Sequence, residues 1–295
     1  MLGFIPAGCA PGDEVRSFLV LSEPPVDLSD SVVVVTGASS GIGAATALAL
    51  ARRGVRAVAL LARGREALER VAAEVRAAGA SAFPCPADLT DPAAAERAHH
   101  AVEETLGVPD ALVNNAGAGR WLFVEETPPG EEAQMMAVPY LAAFNTTRAF
   151  LPAMKARRRG WIVNVTSPAA FAPWAGATGY VAARWAVRGF TEALRADLHR
   201  SGLGVMLFTA GHVSSSYWEH NPGAEERLPA VDRLFRTLTP NQAAAALVRG
   251  LERGAREVVT PPLLRLTVQL QRVFPRAVSA VVIRTGITGR ERSRR

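Results

Sequence analysis

Cysteine is scarce in this 295-residue chain, and lysine is nearly absent. The two cysteines, Cys9 and Cys85, lie far apart without a CxxC partner, which argues against a disulfide framework and against a zinc site. This cysteine usage indicates a reducing compartment, so we expect a cytoplasmic protein. Lys155 is the only lysine, and arginine supplies every other basic side chain.

Metal-ligand spacing is missing as well. The five histidines include the neighbours His99 and His100, but their spacing matches no metal-ligand motif. We therefore expect no metal site and interpret the histidine pair as part of a solvated helix face. The net charge of +6 is spread along the chain, and no zinc, RNP or KH pattern occurs, so nucleic acid is not an expected partner.

Long apolar runs are also absent. The stretch from Leu263 to Ile283 is interrupted by arginines and by Pro275, so no segment is expected to span a bilayer. Residues 1–25 lack the cationic start and apolar centre of a secretory leader, and we expect a loose tail there.

From Ser31 onward, short β-branched runs alternate with amphipathic helical stretches. This alternation predicts a single doubly wound, Rossmann-like α/β domain with a parallel seven-stranded sheet flanked by helices. The predicted strands are Val32–Thr36, Ala57–Ala62, Ala80–Pro84, Ala111–Asn114, Gly160–Thr166, Gly204–Thr209 and Glu257–Thr260. The predicted helices are Ala44–Arg53, Arg65–Ala78, Pro92–Leu106, Glu131–Ala156 and Gly179–Arg200.

The pattern divides the chain into three parts. Residues 1–26 are expected to form a loose extension and residues 27–262 the Rossmann-like domain. Within that domain, the region of about 211–239 follows the sixth strand and is predicted to cover a ligand crevice. Residues 263–295 form a basic amphipathic C-terminal extension.

A glycine-rich turn, Thr36-Gly37-Ala38-Ser39-Ser40-Gly41-Ile42-Gly43, joins the first strand to the first helix. Gly37 permits a tight turn, Gly41 lets backbone N–H groups approach a pyrophosphate, and Gly43 allows close packing of helix and strand. The positive end of the helix favours the anion, so the turn predicts a dinucleotide-phosphate site.

A candidate catalytic set follows the fifth strand. Tyr180 lies thirteen residues after Ser167, and Arg184 lies one helical turn after Tyr180 on the same face. A cation beside a phenol stabilises the phenolate, and a serine hydroxyl polarises a carbonyl oxygen. These residue types suit hydride transfer between an alcohol or ketone and a nicotinamide ring.

Taken in order, these motifs resemble those of the classical short-chain dehydrogenase/reductase (SDR) family, from about Asp27 to Pro262. Asp88-Leu89 and Asn114-Asn115-Ala116-Gly117 complete the resemblance. It implies that Ser167 holds the substrate oxygen and that Tyr180 exchanges a proton with it. Together the turn, the second strand and the resemblance assign cofactor binding to Thr36, Gly37, Ser39, Ser40, Gly41, Ile42, Gly43, Arg63, Asp88, Leu89, Asn115, Ala116, Gly117, Tyr180, Arg184, Gly211, Val213 and Ser215.

The chain departs from the family pattern at two positions. Arg184 stands where the family has the lysine of its YxxxK motif, which keeps the charge but changes the shape of the group. Pro139 stands where the family places an asparagine that kinks a helix and anchors a water. Proline also kinks a helix but has no amide. Asn145 is either a displaced substitute or, as we favour, an ordinary helix residue.

The second strand ends in Leu61-Ala62-Arg63-Gly64-Arg65, which has no acidic residue and two arginines. An acid there binds the ribose 2′-OH of NAD, whereas a 2′-phosphate requires arginine, so NADP(H) is preferred over NAD(H). The substrate is expected to be an apolar alcohol or ketone because aromatic residues border the predicted crevice. These residues are Trp121, Phe123, Phe171, Trp174, Tyr217 and Trp218.

Several alternatives remain open at the level of sequence. A catalytically weak dinucleotide-binding sensor or interaction protein would also keep the glycine turn, and an epimerase-like relative is disfavoured by the glycine spacing. The segment from Pro261 to Arg284 is expected to pack on its own domain or a partner subunit, while weak peripheral contact with an anionic membrane stays an alternative. The family resemblance implies a homodimer or homotetramer.

Overall fold

A parallel seven-stranded sheet forms the centre of the computed structural model, which describes residues 26–219 and 221–286. Its order, β3-β2-β1-β4-β5-β6-β7, confirms the predicted doubly wound fold. The strands are β1 Val32–Thr36, β2 Ala57–Ala62, β3 Ser81–Pro86, β4 Ala111–Asn114, β5 Gly160–Thr166, β6 Leu203–Ala210 and β7 Glu257–Thr260. The expected loose tail at residues 1–25 lies outside the described residues.

Helices connect successive strands. They are α1 Gly41–Ala51, α2 Arg65–Ala77, α3 Pro92–Leu106, α4 Glu131–Met136, α5 Ala142–Arg157, α6 Thr178–Asp197, α7 Pro240–Glu252, α8 Pro262–Val273 and α9 Pro275–Gly286. Helix α7 was not predicted, although a local signal in the sequence marks its start. The Thr239 hydroxyl accepts from the Gln242 N–H, and the Gln242 side chain accepts from the Thr239 N–H, as in a capping box.

The strands are apolar on both faces because helices cover both sides of the sheet. Val33 and Val35 of β1 pack in one cluster with Leu50 of α1, whereas Val34 faces the other side and belongs to a cluster with Phe150 of α5. Side chains alternate along a strand, so this β-branched run fills two cores at once.

The helix predicted from Glu131 to Ala156 is present, but it is not α-helical throughout. Residues Ala137–Leu141 form a π-helical turn between α4 and α5, with Pro139 buried within it. Proline cannot donate the usual backbone hydrogen bond, and its ring crowds the preceding turn, so a wider turn accommodates it. The structure therefore places a π-helical turn at the position where the sequence predicted regular α-helix.

The chain reverses direction across the sheet after β3 and returns to place β4 beside β1. Connections leave the carboxyl ends of these two neighbouring strands in opposite directions, which opens a crevice between them. The candidate site occupies this crevice. Within the described residues, no helix combines the length and apolarity needed to cross a bilayer.

Candidate active site

A cavity of about 1010 Å³ extends along the carboxyl ends of the strands, from the glycine-rich turn to the inner side of α8. Ser167 and all the predicted cofactor-binding residues line it, except Thr36 and Gly43. The structure therefore brings together at one site residues that are spread from β1 to the segment after β6.

The glycine-rich turn has the backbone that the sequence predicted. Gly37 and Gly41 adopt φ values of +62° and +56°, which L side chains disfavour. A Cβ atom at Gly43 would lie 2.2 Å from the Gly37 carbonyl oxygen, so this position fixes the packing of α1 on the turn. Gly43 thus shapes the cavity without lining it.

The N-terminus of α1 is available to an anion. Ser40 occupies the N-cap without a side-chain capping bond, and the first turn holds no acidic residue. The nearest atom to a Cβ at Gly41 would be Ser215 Cβ, at 3.7 Å. The first N–H groups of a helix lack partners within it, so this end of the cavity fits the phosphates of a dinucleotide.

Thr36 acts from behind the cavity wall. Its hydroxyl oxygen accepts hydrogen bonds of 3.0 Å from the backbone N–H groups of Asn115 and Ala116. The Asn115 side chain donates in return to the Thr36 carbonyl oxygen at 3.0 Å. These bonds tie the end of β1 to the end of β4 and position the segment that reaches Gly117.

The predicted adenine end of the cavity is built around Asp88. Its carboxylate accepts from the backbone N–H and the hydroxyl of Thr90, and the hydroxyl bond is the larger reason that the pKa of Asp88 is lowered. Asn145 donates to the carbonyl oxygens of Leu89 and Thr90 at 3.1 and 3.2 Å. Asn145 therefore holds this loop from below and does not line the cavity.

Two arginines border the same end of the cavity. Arg63 was predicted from the end of β2, whereas Arg70, on α2, was missed. Arg65, the other arginine of the sequence motif, does not line the cavity. Arg63 precedes α2 and Arg70 lies in its second turn, so no local periodicity links the two residues.

Ser167 caps a short 3-10 helix at the end of β5, where its hydroxyl oxygen accepts from the Ala169 N–H at 3.1 Å. Its hydroxyl proton stays available to donate into the cavity. Tyr180 lies in the first turn of α6 and is only 7% exposed. Both predicted residues thus line the cavity from neighbouring elements.

Arg184 is a buried cation. It is 7% exposed, its Cζ atom lies 4.8 Å from the centre of the Tyr180 ring, and its Nε atom has no hydrogen-bond partner. A Cβ at Gly117 would lie 2.9 Å from one of its terminal nitrogens. Within the described residues, no carboxylate forms an ion pair with it. A buried guanidinium with spare donors fits ribose hydroxyls.

Aromatic side chains enclose Tyr180. The Trp121 ring lies 5.3 Å from the Tyr180 ring, and the Trp121 Nε1 donates to the Tyr217 hydroxyl at 2.9 Å. That hydroxyl donates to the Gly119 carbonyl oxygen at 3.0 Å. Burial raises the pKa of Tyr217, so its phenol stays protonated and keeps this donor. The segment after β6 is thereby fastened over Tyr180.

His212 makes a second set of contacts, within the segment that follows β6. It was not among the predicted site residues. Its ring nitrogens lie 3.5 Å from an Asp232 oxygen and 3.4 Å from a Glu225 oxygen. The hydrogen bond to Asp232 is the main reason that the pKa of His212 is raised. No local pattern links residues so far apart, so only the fold could bring them together.

The predicted aromatic border is correct for five of its six members. Trp121, Phe171, Trp174, Tyr217 and Trp218 line the cavity, whereas Phe123 does not. The Phe123 ring packs instead beneath the Arg227 guanidinium, at 5.3 Å. The largely apolar wall supplied by the last two helices was not predicted. Its members are Leu264, Thr267, Val268, Gln271 and Val282.

The expectation of a solvated histidine pair was wrong for His99. It is buried, packs edge-on against Phe150 at 4.9 Å, and its Nε2 lies 2.9 Å from a Glu103 oxygen. The side of α3 that faces α5 therefore includes His99, while His100 remains exposed.

Comparison with known proteins identifies the family. The model of the short chain dehydrogenase family matches residues 31–225. The probable oxidoreductase EphD of Mycobacterium tuberculosis is 34% identical over 261 residues, which cover 84% of this chain and 44% of that protein. The chain thus spans less than half the length of that curated relative.

Solved structures agree with the sequence comparison. A short chain dehydrogenase/reductase from Burkholderia phymatum in complex with NAD shares 26% identity at a TM-score of 0.75, covering 84% of this chain and 95% of that one. A short chain dehydrogenase from Burkholderia cenocepacia in complex with NADP shares 27% identity at a TM-score of 0.74, covering 87% and 99%. The chain belongs to the short-chain dehydrogenase family, the NAD(P)-binding oxidoreductases with this Rossmann-like sheet.

Proposed function

We propose that this protein is an NADP(H)-preferring oxidoreductase that interconverts an apolar alcohol and the corresponding ketone. The observation that carries the proposal is the shared cavity: Ser167, Tyr180 and Arg184 line the same space as the glycine-rich turn and the ends of β1 and β4. A reacting carbon can therefore reach the catalytic side chains and a dinucleotide at once.

The cofactor is assigned to the half of the cavity nearest α1. The turn from Gly37 to Gly43 and the α1 N-terminus hold the phosphates, and Asp88 and Leu89 border the adenine. Arg63 and Arg70 meet the 2′-phosphate, because arginine offers charge-assisted, two-point hydrogen bonds to phosphate oxygens. No acidic side chain ends β2 to favour a free 2′-hydroxyl.

Proton transfer belongs to Tyr180. When bound, the nicotinamide supplies or accepts the hydride. The Tyr180 hydroxyl gives its proton to the substrate oxygen during reduction, and its phenolate takes one from an alcohol during oxidation. Ser167 donates a hydrogen bond to the same oxygen and holds it in place. Together, these groups control the charge that develops on that oxygen.

Arg184 supplies the positive charge of the family lysine, but it cannot supply the proton that a lysine can transfer. Its fixed positive charge beside Tyr180 stabilises the phenolate, and its spare N–H groups hold ribose hydroxyls. A guanidinium is never deprotonated at working pH, so it cannot pass on a proton of its own. The proton on Tyr180 must then be exchanged through solvent or hydroxyls.

The substrate half of the cavity favours apolar molecules. Trp121, Trp174 and Trp218 line it together with the inner faces of α8 and α9. His212 and Asp232 also border it, but they satisfy one another. Desolvation would penalise a strongly charged substrate, whereas an apolar alcohol or ketone gains from burial.

We also propose a homo-oligomer through α5 and α6. Leu141, Phe144 and Trp185 are 41–46% exposed on or beside these helices, and the Phe144 ring lies 5.5 Å from that of Phe190. Exposed aromatic residues grouped on neighbouring helices are typical of a subunit interface.

A binding and turnover experiment tests the proposed function. Purified protein is titrated with NADPH and NADH, and loss of nicotinamide absorbance is then followed with a panel of apolar ketones and aldehydes. We expect NADPH to bind more tightly and at least one carbonyl to be reduced. Tight cofactor binding without turnover of any carbonyl would favour the sensor alternative instead.

A further inference from the structure

The helix pair α8–α9 carries an apolar outer surface that no described residue covers. Of the twelve large apolar side chains exposed in the described residues, seven lie between residues 263 and 283. Such concentration in one segment differs from the scattered apolar residues of an ordinary surface. We call five of them the outer stripe: Leu263, Leu266, Leu270, Val273 and Phe274, which are 43–68% exposed.

The outer stripe is a second apolar face on a helix that already has one. Its four members on α8 recur every three or four residues and so fall within an arc of about 80°, and Phe274 follows at the C-cap. Leu264 and Val268 lie on the inner side and are buried against the domain. One buried face is enough to hold a surface helix, so the outer stripe requires a separate explanation.

The charges around the outer stripe favour an anionic partner. Residues 261–286 contain four arginines and neither aspartate nor glutamate. Arg272 pairs with Glu257, whereas Arg265, Arg276 and Arg284 form no ion pair with any described residue. A two-fold contact between copies through this segment would place the arginines of both subunits at one interface without an acidic residue of the segment to balance them. A partner with an apolar interior and a negatively charged surface would match both the outer stripe and the arginines.

The inner face of the same helices walls the proposed substrate half of the cavity. Leu264, Val268 and Gln271 of α8 and Val282 of α9 line it. The two helices therefore separate this part of the cavity from the outer stripe. A molecule dissolved in an apolar phase that touches the outer stripe is therefore separated from the cavity only by the thickness of one helix.

We infer that α8 and α9 lie flat on an anionic lipid bilayer, with the outer stripe among the acyl chains and the arginines at the headgroups. The substrate is a lipid-soluble alcohol or ketone that enters from this bilayer. The docking surface stands on its own geometry, whereas the identity of the substrate rests on the proposed function.

Vesicle co-sedimentation of the full chain tests the docking surface. The vesicles are pure phosphatidylcholine or phosphatidylcholine containing phosphatidylglycerol, each at low and high salt. We expect binding to the anionic vesicles that weakens with salt. The double variant Arg265→Glu/Arg276→Glu should bind at least about tenfold more weakly, since each basic residue contributes about 1 kcal/mol near an anionic surface. Leu266→Ser should weaken binding several-fold.

Matched controls distinguish binding through this surface from the effects of net charge and of exposed apolar side chains elsewhere on the protein. Arg52→Glu/Arg97→Glu makes the same charge change at exposed sites at the end of α1 and on α3, and Val124→Ser removes an exposed apolar side chain elsewhere on the surface. Both controls should bind like the parent. No sedimentation with anionic vesicles, or equal weakening by controls and helix variants, overturns the proposal. So does a Leu266→Ser variant that loses a subunit in light scattering while its vesicle binding is unchanged.

A kinetic comparison tests the substrate. With a long-chain methyl ketone dissolved in anionic vesicles, Arg265→Glu/Arg276→Glu should raise KM several-fold, while KM for water-soluble cyclohexanone stays unchanged. If the variant has the same KM as the parent for both ketones, the substrate assignment is overturned. If no ketone is reduced, the proposed function fails and the substrate assignment fails with it, but the sedimentation result still decides the docking surface.

Discussion

The guanidinium of Arg184 lies against the face of the Tyr180 ring, with its Cζ atom 4.8 Å from the ring centre. The two side chains are buried to the same degree, each 7% exposed. A cation in this position is attracted to the ring and, in a site shielded from water, acts strongly on a negative charge at the phenol oxygen. The geometry of the pair thus fits the proposed mechanism, in which the arginine supplies charge and the tyrosine moves the proton.

Removal of the positive charge at position 184 should lower kcat more than a change in the shape of the charged group. We expect Arg184→Met to lower kcat by about 100-fold or more, because the phenolate loses its stabilising cation. Arg184→Lys keeps the charge and should remain within about tenfold of the parent. Steady-state kinetics with NADPH tests both variants, and Arg97→Met on exposed α3 is the control. Parental kcat in Arg184→Met would contradict the assigned role.

The Tyr217 hydroxyl should matter for substrate retention. Tyr217→Phe leaves the Trp121 N–H and the Gly119 carbonyl without this partner, which should destabilise the fold by about 1–2 kcal/mol. The segment over Tyr180 then loosens, so KM for a ketone should rise about tenfold with a smaller change in kcat. Tyr140→Phe is the control, since that ring packs on Phe144 and Phe190 away from the cavity. A tenfold fall in kcat at unchanged KM would instead place Tyr217 in the chemistry.

The His212 contact should stabilise the protein in a pH-dependent way. Its pKa is raised above the ordinary 6.5, chiefly by the hydrogen bond to Asp232. A raised folded-state pKa means that the stabilisation is fully present below pH 6.5 and is lost as pH rises through the higher folded value. The difference in Tm between parent and His212→Gln should therefore be largest in mild acid. A difference that grows with pH would show that the assignment is wrong.

Arg63 and Arg70 should distinguish NADPH from NADH. Arg63→Ser and Arg70→Ser should each weaken NADPH binding by about tenfold, the loss expected for one charge-assisted contact, while NADH binding changes by less than about twofold. Arg65→Ser is a close control, because Arg65 is exposed nearby but does not line the cavity. Calorimetric titration measures all three variants. Equal losses for both cofactors would remove the 2′-phosphate assignment.

Sequence predicted the parts of this fold that depend on local signals. The turn from Gly37 to Gly43 is contiguous, and its conformation follows from residues that tolerate it, so both its backbone and its place at a helix start could be expected. The bounds of β1, β2, β4, β5 and β7 were also correct, because β-branched runs end at turn residues.

The misses share a physical cause. Arg70, His212 and the cavity-facing residues of α8 reach the site only through tertiary packing, and no local pattern encodes which side of a helix will face a cavity. The π-helical turn at Pro139 shows the same limit, since the proline signals a kink but the neighbouring helices decide how the backbone absorbs it. Helix α7 differs, because its capping box at Thr239 is a local signal that the sequence itself contains.

The most direct test of the central claim is single-turnover reduction of an apolar ketone by the NADPH-loaded protein, with Tyr180→Phe compared with the parent. Phenylalanine keeps the ring beside Arg184 and Trp121 but removes the proton. We expect unchanged NADPH affinity and a rate of absorbance loss lower by about 1000-fold, the order expected for a general acid. A Tyr180→Phe variant as fast as the parent would contradict this claim.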